Sequence, residues 1–312
     1  MNVKKFGKII EIISKCNDFC ILSHLRPDGD SIGSSMALYL ALKKLKKRVC
    51  VVVPEEAYIK YDFLLRYLDT RKSKKKTIIS IDTADISLLY NPENLKIDIC
   101  IDHHITNKGY AKLNYINCIS ASNSINIYHL LENMKVKIDR KIAECIFTGI
   151  LTDTARYKNL NVNEEVFKIS SILYPMINYN NLNKKIFKQT KFFFDLKCKI
   201  LSRVEYFFDD KCSVCTIRLK TMNKCKEKCG ELDVASSTLV IENVMIAVTI
   251  KEESENFFKV SVRSNGDLSV LELCRIFKGG GHKNAGGFFV KGELSEIKQK
   301  ILSSIKLNIE NF

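Results

Sequence analysis

HLRPDGDSIGS, residues 24–34, decides how this chain is read. The apolar run FCIL precedes it and MALYLALKKL comes after; the first reads as a buried strand, the second places apolar residues at helical spacing. The stretch is therefore a strand-to-helix loop carrying one histidine and two aspartates. Pro27, Gly29 and Gly33 are turn formers, and a loop rich in them folds back so that His24, Asp28 and Asp30 point at one spot. Two carboxylates and an imidazole gathered there repel or neutralise one another unless a cation joins them. Mixed oxygen and nitrogen donors suit Mn, Fe or Zn better than a structural thiolate site would. The competing reading is a turn whose aspartates cap the next helix.

Working outward, strand and helix patterns alternate. A strand at 19–23 leads to a helix over Ser31 to Leu45, the strand RVCVVV and a helix over Tyr61 to Leu68. Then come a basic loop, the strand TIISI, a short helix after Asp85 and the strand IDICI. Strands apolar throughout and alternating with helices predict a parallel sheet covered on both faces, an α/β domain. Helices are expected from Asn123 to Met134 and from Asp139 to Leu151, with helical sequence on to about Tyr206. From Lys211 the texture changes to CSVCTIRL, VMIAVTI and FFKVSVR, a helix near Leu268 to Phe277, a glycine cluster, a strand and a final helix. This is a second, smaller domain with a mixed sheet. The expected organisation is a catalytic domain at 1–185, a helical connector at 186–208 and a second domain at 209–312.

With 312 residues, 46% hydrophobic, the chain has room for two cores. No apolar run approaches the roughly 20 residues of a membrane helix, and MNVKKFGKIIEII is amphipathic without a cleavage signature, so a cytoplasmic protein is expected. The net charge of +15 tolerates an anionic partner; the lysine runs KKLKKR from Lys43 and RKSKKK from Arg71 read as solvated faces and loops. Most of the twelve cysteines, among them Cys20, Cys50, Cys100, Cys145 and Cys274, lie in apolar runs and read as free core thiols. Cys212, Cys215, Cys225 and Cys229 are spaced loosely like a zinc knuckle. Cys212 and Cys215, however, stand three apart in a strand and face opposite sides, which opposes a four-thiolate site.

The informative polar residues stand at the ends of the apolar strands. Asp82 comes directly after TIISI, Asp102, His103 and His104 come directly after IDICI, and Asp153 ends IFTGILTD. Open α/β sheets place ligands at that carboxyl edge. Asp28, Asp30, Asp82 and Asp153 bring four negative charges, which two divalent cations neutralise. Such a pair, about 3.5–4 Å apart, is the usual device for hydrolysing a phosphoester. Asp85 reads as a helix cap and His129 as a structural histidine.

HLRPDGDS, IDTAD, IDHH and GILTDT occur in order, with SVRSN and GGGHKNAGG after them in the second domain. In these motifs the chain resembles the DHH/DHHA1 phosphoesterases, in the stand-alone form of the bacterial nanoRNases and cyclic-dinucleotide phosphodiesterases. The resemblance spans almost the whole chain. It implies two metal ions, usually manganese, with His24, Asp28 and Asp82 on one and Asp30, Asp82, His103 and Asp153 on the other. Asp82 then bridges the pair and helps hold the attacking water, Asp102 fixes the imidazoles, and His104 faces the substrate phosphate. Which imidazole of the pair is the ligand stays open on sequence. In the second domain Gly279 to Gly281 let backbone N–H groups approach a phosphate, His282 donates to it, and Arg263 with Ser264 matches the family's arginine–serine pair. Gly280, Gly281, His282, Arg263 and Ser264 are thus the expected substrate residues, in a cleft between the domains.

Two departures stand out. Ala155, Arg156 and Tyr157 replace the family's common Gly-x-Phe, and Leu88 stands where many relatives carry an arginine. The leading expectation is a Mn-dependent hydrolase of short RNA such as pApA or pGpG, which also dephosphorylates 3′-phosphoadenosine 5′-phosphate (pAp). Cyclic di-AMP is the alternative substrate, and a non-catalytic nucleotide or nucleic-acid binder is the alternative of another class. No membrane partner is expected, and a homodimer is left open.

Overall fold

The computed structural model describes residues 3–68, 77–91, 95–222 and 234–310. The RKSKKK run, Cys225 and Cys229 lie outside them. The chain divides into two compact units, Met1–Lys188 and Gln189–Phe312.

The first unit runs α1 (Val3–Lys15), β1 (Asp18–Leu22), α2 (Gly29–Lys44), β2 (Arg48–Val52), α3 (Glu56–Leu65), β3 (Thr77–Ile81), β4 (Ile99–Asp102) and β5 (Leu113–Ile116). Four helices complete it: α4 (Asn123–Asn133), α5 (Arg140–Asp153), α6 (Glu164–Leu173) and α7 (Tyr179–Phe187). Its sheet has the order β2-β1-β3-β4-β5 with every pairing parallel. The parallel α/β expectation is borne out. Phe19, Ile21, Ile79, Ile81, Ile99 and Ile101 are buried on one face and Cys20, Leu22, Ser80 and Cys100 on the other, as strands covered on both faces require.

Helix α2 lies deep in this unit. Thirteen of its sixteen residues are buried, and its apolar, serine and glycine positions ring the axis rather than forming one stripe. Small residues let it approach α5 closely: a Cβ on Gly33 would strike the Cys145 carbonyl. On Gly149 a Cβ would strike Ser124 Oγ and Asp30 Oδ1.

Several boundaries differ from the sequence reading. Helix α2 starts at Gly29, capped by Asp28, whose side chain accepts from the N–H groups of Asp30 and Ser31. Helix α3 starts at Glu56, shortly after Pro54, and ends at Leu65 rather than Leu68. Strand β5 escaped the pattern because only Tyr115 of its four residues is buried. The helix after Asp85 is a single 3-10 turn, Ile86–Leu88, capped by Asp85 as expected.

The second unit runs α8 (Lys191–Leu201), β6 (Glu205–Phe207), β7 (Cys212–Ile217), α9 (Leu219–Met222), α10 (Ala235–Thr238), β8 (Ile246–Ser254) and β9 (Phe257–Ser264). It closes with α11 (Leu271–Ile276), β10 (Gly280–His282), β11 (Ala285–Lys291) and α12 (Leu294–Glu310). The mixed sheet has the order β10-β11-β9-β8-β7-β6, parallel only between β7 and β8. The reading of helical sequence on to about Tyr206 is corrected at its end, where Glu205–Phe207 pairs with β7. The ten cysteines among the described residues are thiols rather than disulfides. Cys212 packs with Val248 and Val260, and Cys215 with Leu196 and Ile200 on the other face, as the strand alternation demands. Among the described residues no helix is long and apolar enough to cross a membrane.

Candidate metal centre

The polar residues singled out in the first unit come from the carboxyl ends of β1, β3 and β4, from the start of α2 and from the last residue of α5. His24 lies just beyond β1 and is pinned by an antiparallel bridge to Leu89. Asp28 has extended backbone and caps α2, its Oδ1 accepting from Asp30 N–H at 2.9 Å and Ser31 N–H at 3.0 Å. The capping reading and the converging-carboxylate reading are therefore both true of Asp28. Asp30 is fully buried, its two oxygens held by the N–H groups of Asn123 at 2.5 Å and Ser124 at 2.9 Å, in the first turn of α4.

Asp82 leaves β3 with φ at 54°, in the left-handed region, and is 2% exposed. Its Oδ1 is buried and accepts no hydrogen bond of good geometry among the described residues. Two imidazole nitrogens stand near it, His103 Nε2 at 3.3 Å and His104 Nδ1 at 3.8 Å. His103 Nε2 also stands 3.3 Å from Asp153 Oδ2 and 3.9 Å from Asp30 Oδ2, while its Nδ1 faces the Ser120 carbonyl at 3.2 Å. A carbonyl only accepts, so Nδ1 carries a proton and Nε2 is the nitrogen turned to the carboxylates. His104 Nδ1 is taken by Asp102 Oδ1 at 2.8 Å.

Ligand atoms of His24, Asp28 and Asp82 lie within 4.8 Å of one another, as do those of Asp30, His103 and Asp153. Asp82, His103 and His104 form a third such group. The structure thus brings together all the residues of the first unit singled out from sequence.

The electrostatics describe a centre built around positive charge. Burial, then Asp82, push Asp30 up to about 7. Burial and then Asp30 push Asp153 well above the carboxylate range. Burial also opposes ionisation of Asp82, but His103 beside it and the other nearby imidazoles outweigh that and hold the carboxyl low. Burial disfavours the His103 imidazolium as well, yet Asp82, Asp153 and Asp30 hold its pKa well above the ordinary value. Carboxylates packed against one another with an orphaned buried oxygen in their midst are what a divalent cation satisfies. The donor set, four carboxylates and neutral imidazoles, fits such ions.

Thr154 and the three residues after it form a tight turn in which Ala155, Arg156 and Tyr157 all have positive φ, at 45°, 60° and 64°. Tyr157 is fastened by its hydroxyl to Ser170 at 3.0 Å and stacks on Phe167. Leu88 is half-exposed in the 3-10 turn, its carbonyl accepting from Leu25 N–H at 2.7 Å.

In the second unit the expected substrate residues divide. Along β9 burial alternates, so Arg263 and Ser264 face opposite sides of the sheet. Ser264 is 4% exposed, and its hydroxyl donates to the Leu268 carbonyl at 2.5 Å and accepts from Asn284 at 3.1 Å. That hydroxyl closes a turn. Arg263 Nη1 donates to the Val262 carbonyl at 3.0 Å, and its backbone lies opposite Ala285 of β11. Gly280 and Gly281 sit in edge strand β10 rather than in an open loop, paired with Gly287 and Gly286. At Gly281 φ is 144° and a Cβ would strike the Ala285 carbonyl, so a side chain is excluded there. His282 ends the same strand, and only its backbone is described.

Sequence reasoning missed the groups that hold these side chains: the Ser120 carbonyl, the amides of Asn123 and Ser124, and the Asn107 carboxamide on Asp102. Backbone groups leave no residue-type signal, and an asparagine in a loop reads as a turn former.

A parallel sheet with this cluster at its carboxyl edge, joined in the same chain to a mixed-sheet unit, defines a class of metal-site α/β proteins. The description "DHH family, N-terminal domain" matches residues 18–150, and "DHHA1 domain" matches residues 230–311. A bifunctional oligoribonuclease and PAP phosphatase, NrnA, of Thermus thermophilus is 27% identical over 294 residues, 92% of this chain and 88% of that protein. The Bacillus subtilis protein of the same name is 26% identical over 290 residues, 90% of this chain and 91% of its own. The crystal structure of an exopolyphosphatase-related protein from Bacteroides fragilis superposes with a TM-score of 0.81 at 23% identity, covering 99% of this chain and 96% of that one. The chain belongs to the DHH/DHHA1 family.

Proposed function

We propose that this protein hydrolyses phosphoester bonds of short oligoribonucleotides to mononucleotides and removes phosphate from pAp. The observation that carries the reading is the pair of ligand groups, His24–Asp28–Asp82 and Asp30–His103–Asp153, packed around the orphaned Oδ1 of Asp82. The relatives named as oligoribonuclease and PAP phosphatase, aligned over nine-tenths of the chain, support the substrate class.

In this reading His24, Asp28 and Asp82 hold one divalent cation and Asp30, Asp82, His103 and Asp153 the other, with Mn²⁺ as the ion. When bound, such a pair makes water a nucleophile at neutral pH and neutralises phosphoryl charge. The protein's own part is to hold that geometry. Asp82 spans both groups, Ser120 sets the His103 tautomer, and the α4 amides keep Asp30 aimed. Asp102 accepts from Nδ1–H of His104 and favours its imidazolium, in which Nε2–H donates to the substrate phosphate. Residues 1–185 act as the catalytic domain, 186–208 as the connector and 209–312 as the domain that takes the substrate's anionic end, through Arg263, the backbone of Gly280 and Gly281, and His282. The protein works in the cytoplasm.

The test is hydrolysis of pApA, pAp and cyclic di-AMP side by side, with Mn²⁺ and with chelator, for the wild type and Asp82→Ala. Mn-dependent release of AMP from pApA and pAp, lost by at least roughly a thousandfold in Asp82→Ala, is expected. Turnover of cyclic di-AMP alone overturns the substrate assignment, and turnover that survives Asp82→Ala overturns the role of Asp82.

A further inference from the structure

The left-handed turn at Asp82 is fastened from behind by two side chains that the proposed chemistry does not use. Asn107 is 8% exposed, and its Nδ2 donates to the Thr83 carbonyl at 3.1 Å and to Asp102 Oδ2 at 2.7 Å. Its Oδ1 accepts from Gly109 N–H at 2.8 Å, which fixes the orientation of the amide. The Tyr110 hydroxyl stands 3.0 Å from the same Thr83 carbonyl and 3.0 Å from Ser80 Oγ. A carbonyl only accepts, so the phenolic proton goes to Thr83 and the Ser80 hydroxyl is left to donate to the phenol oxygen. Two donors therefore converge on the carbonyl one residue beyond Asp82. The Asp82 N–H itself donates to the Ile101 carbonyl at 3.0 Å, and Thr83 Oγ1 to the Ile81 carbonyl at 2.9 Å.

A non-glycine residue held left-handed is strained and persists only where its surroundings over-determine it. Here the surroundings are these bonds. Asp102, which Asn107 also holds, is the residue that orients His104. One carboxamide thus ties the turn bearing Asp82 to the strand end bearing the imidazoles.

We infer that Asn107 and Tyr110 are positioning residues of the metal centre: by clamping the Thr83 carbonyl they fix where the Asp82 carboxylate stands, and through Asp102 Asn107 couples it to His104. The inference rests on the assignment of Asp82 as a ligand.

The test is Mn²⁺ binding to the full chain, monitored by electron paramagnetic resonance of the free ion, with melting of the metal-free forms measured in parallel. The variants are Asn107→Ala, Tyr110→Phe, Asp82→Ala and, as a control, Asn265→Ala, which removes a carboxamide bonded to two carbonyls in the second unit. Asn107→Ala is expected to weaken Mn²⁺ binding by roughly tenfold or more, Tyr110→Phe in the same direction and less, and Asn265→Ala not at all. Unchanged binding in Asp82→Ala overturns the ligand assignment itself. Weakened binding in Asp82→Ala with wild-type affinity in both Asn107→Ala and Tyr110→Phe overturns the positioning role alone, whatever their melting temperatures. Should Asn107→Ala fail to fold, Tyr110→Phe, which keeps the ring, decides.

Discussion

Ala155 holds φ at 45° two residues after Asp153, the last residue of its helix, in a run of three left-handed residues. The alanine methyl costs about 1–2 kcal/mol in that conformation, and the extra freedom of an unfolded glycine returns about 0.4–1 kcal/mol of it. Ala155→Gly should therefore raise stability by about 0.5–1 kcal/mol, seen as a higher urea midpoint at unchanged slope. A lower midpoint would mean that the methyl packs better than the backbone strains. The same residue scale shows what sequence conveys and what it hides. His24, Asp28, Asp30, Asp82, Asp102, His103, His104 and Asp153 were legible because charged residues beside apolar strands have few other reasons to be there. Arg263 and Ser264 face opposite sides of β9, and a two-letter motif does not say which of them faces a ligand.

Elements meet at the α2–α5 crossing, where Gly149 leaves room for Asp30. Gly149→Ala forces the new methyl against Ser124 Oγ and Asp30 Oδ1. Overpacking of this kind costs about 1–3 kcal/mol, and here it also displaces a proposed ligand. The expected result is a lower melting temperature together with weaker Mn²⁺ binding. Gly7→Ala is the counterpart: Gly7 lies in α1 with nothing near its absent Cβ, and the change should stabilise by up to about 1 kcal/mol through helix propensity. Long elements with strong periodicity were legible, β1, α2, β3, β4 and α5 among them. Strands β5, β6 and β10 were not, because each is short and at or beside a sheet edge, where pairing rather than apolar content decides.

At the scale of the whole molecule, the proposed ligands all lie in the first unit. A ligand that binds only the folded form stabilises it by about 2.7 kcal/mol at a hundredfold excess over its dissociation constant. Chelation should therefore lower the unfolding temperature of the first unit and leave that of the second unchanged, as read by hydrogen exchange resolved along the chain. Protection lost equally in both units would count against a centre built wholly within the first. The net charge of +15 said little by comparison, since it fixes neither a site nor a substrate.

The proposed ligands stand far apart in sequence, from His24 at the end of the first strand to Asp153 at the end of α5. That separation bears on how the protein is made. During synthesis the chain emerges with His24, Asp28 and Asp30 long before Asp153, and contacts of such large sequence separation form late because loop closure must come first. A cation that needs both His24 and Asp153 is therefore expected to be taken up only after β1 and α5 have been brought together, so its uptake should follow the ordering of the first unit.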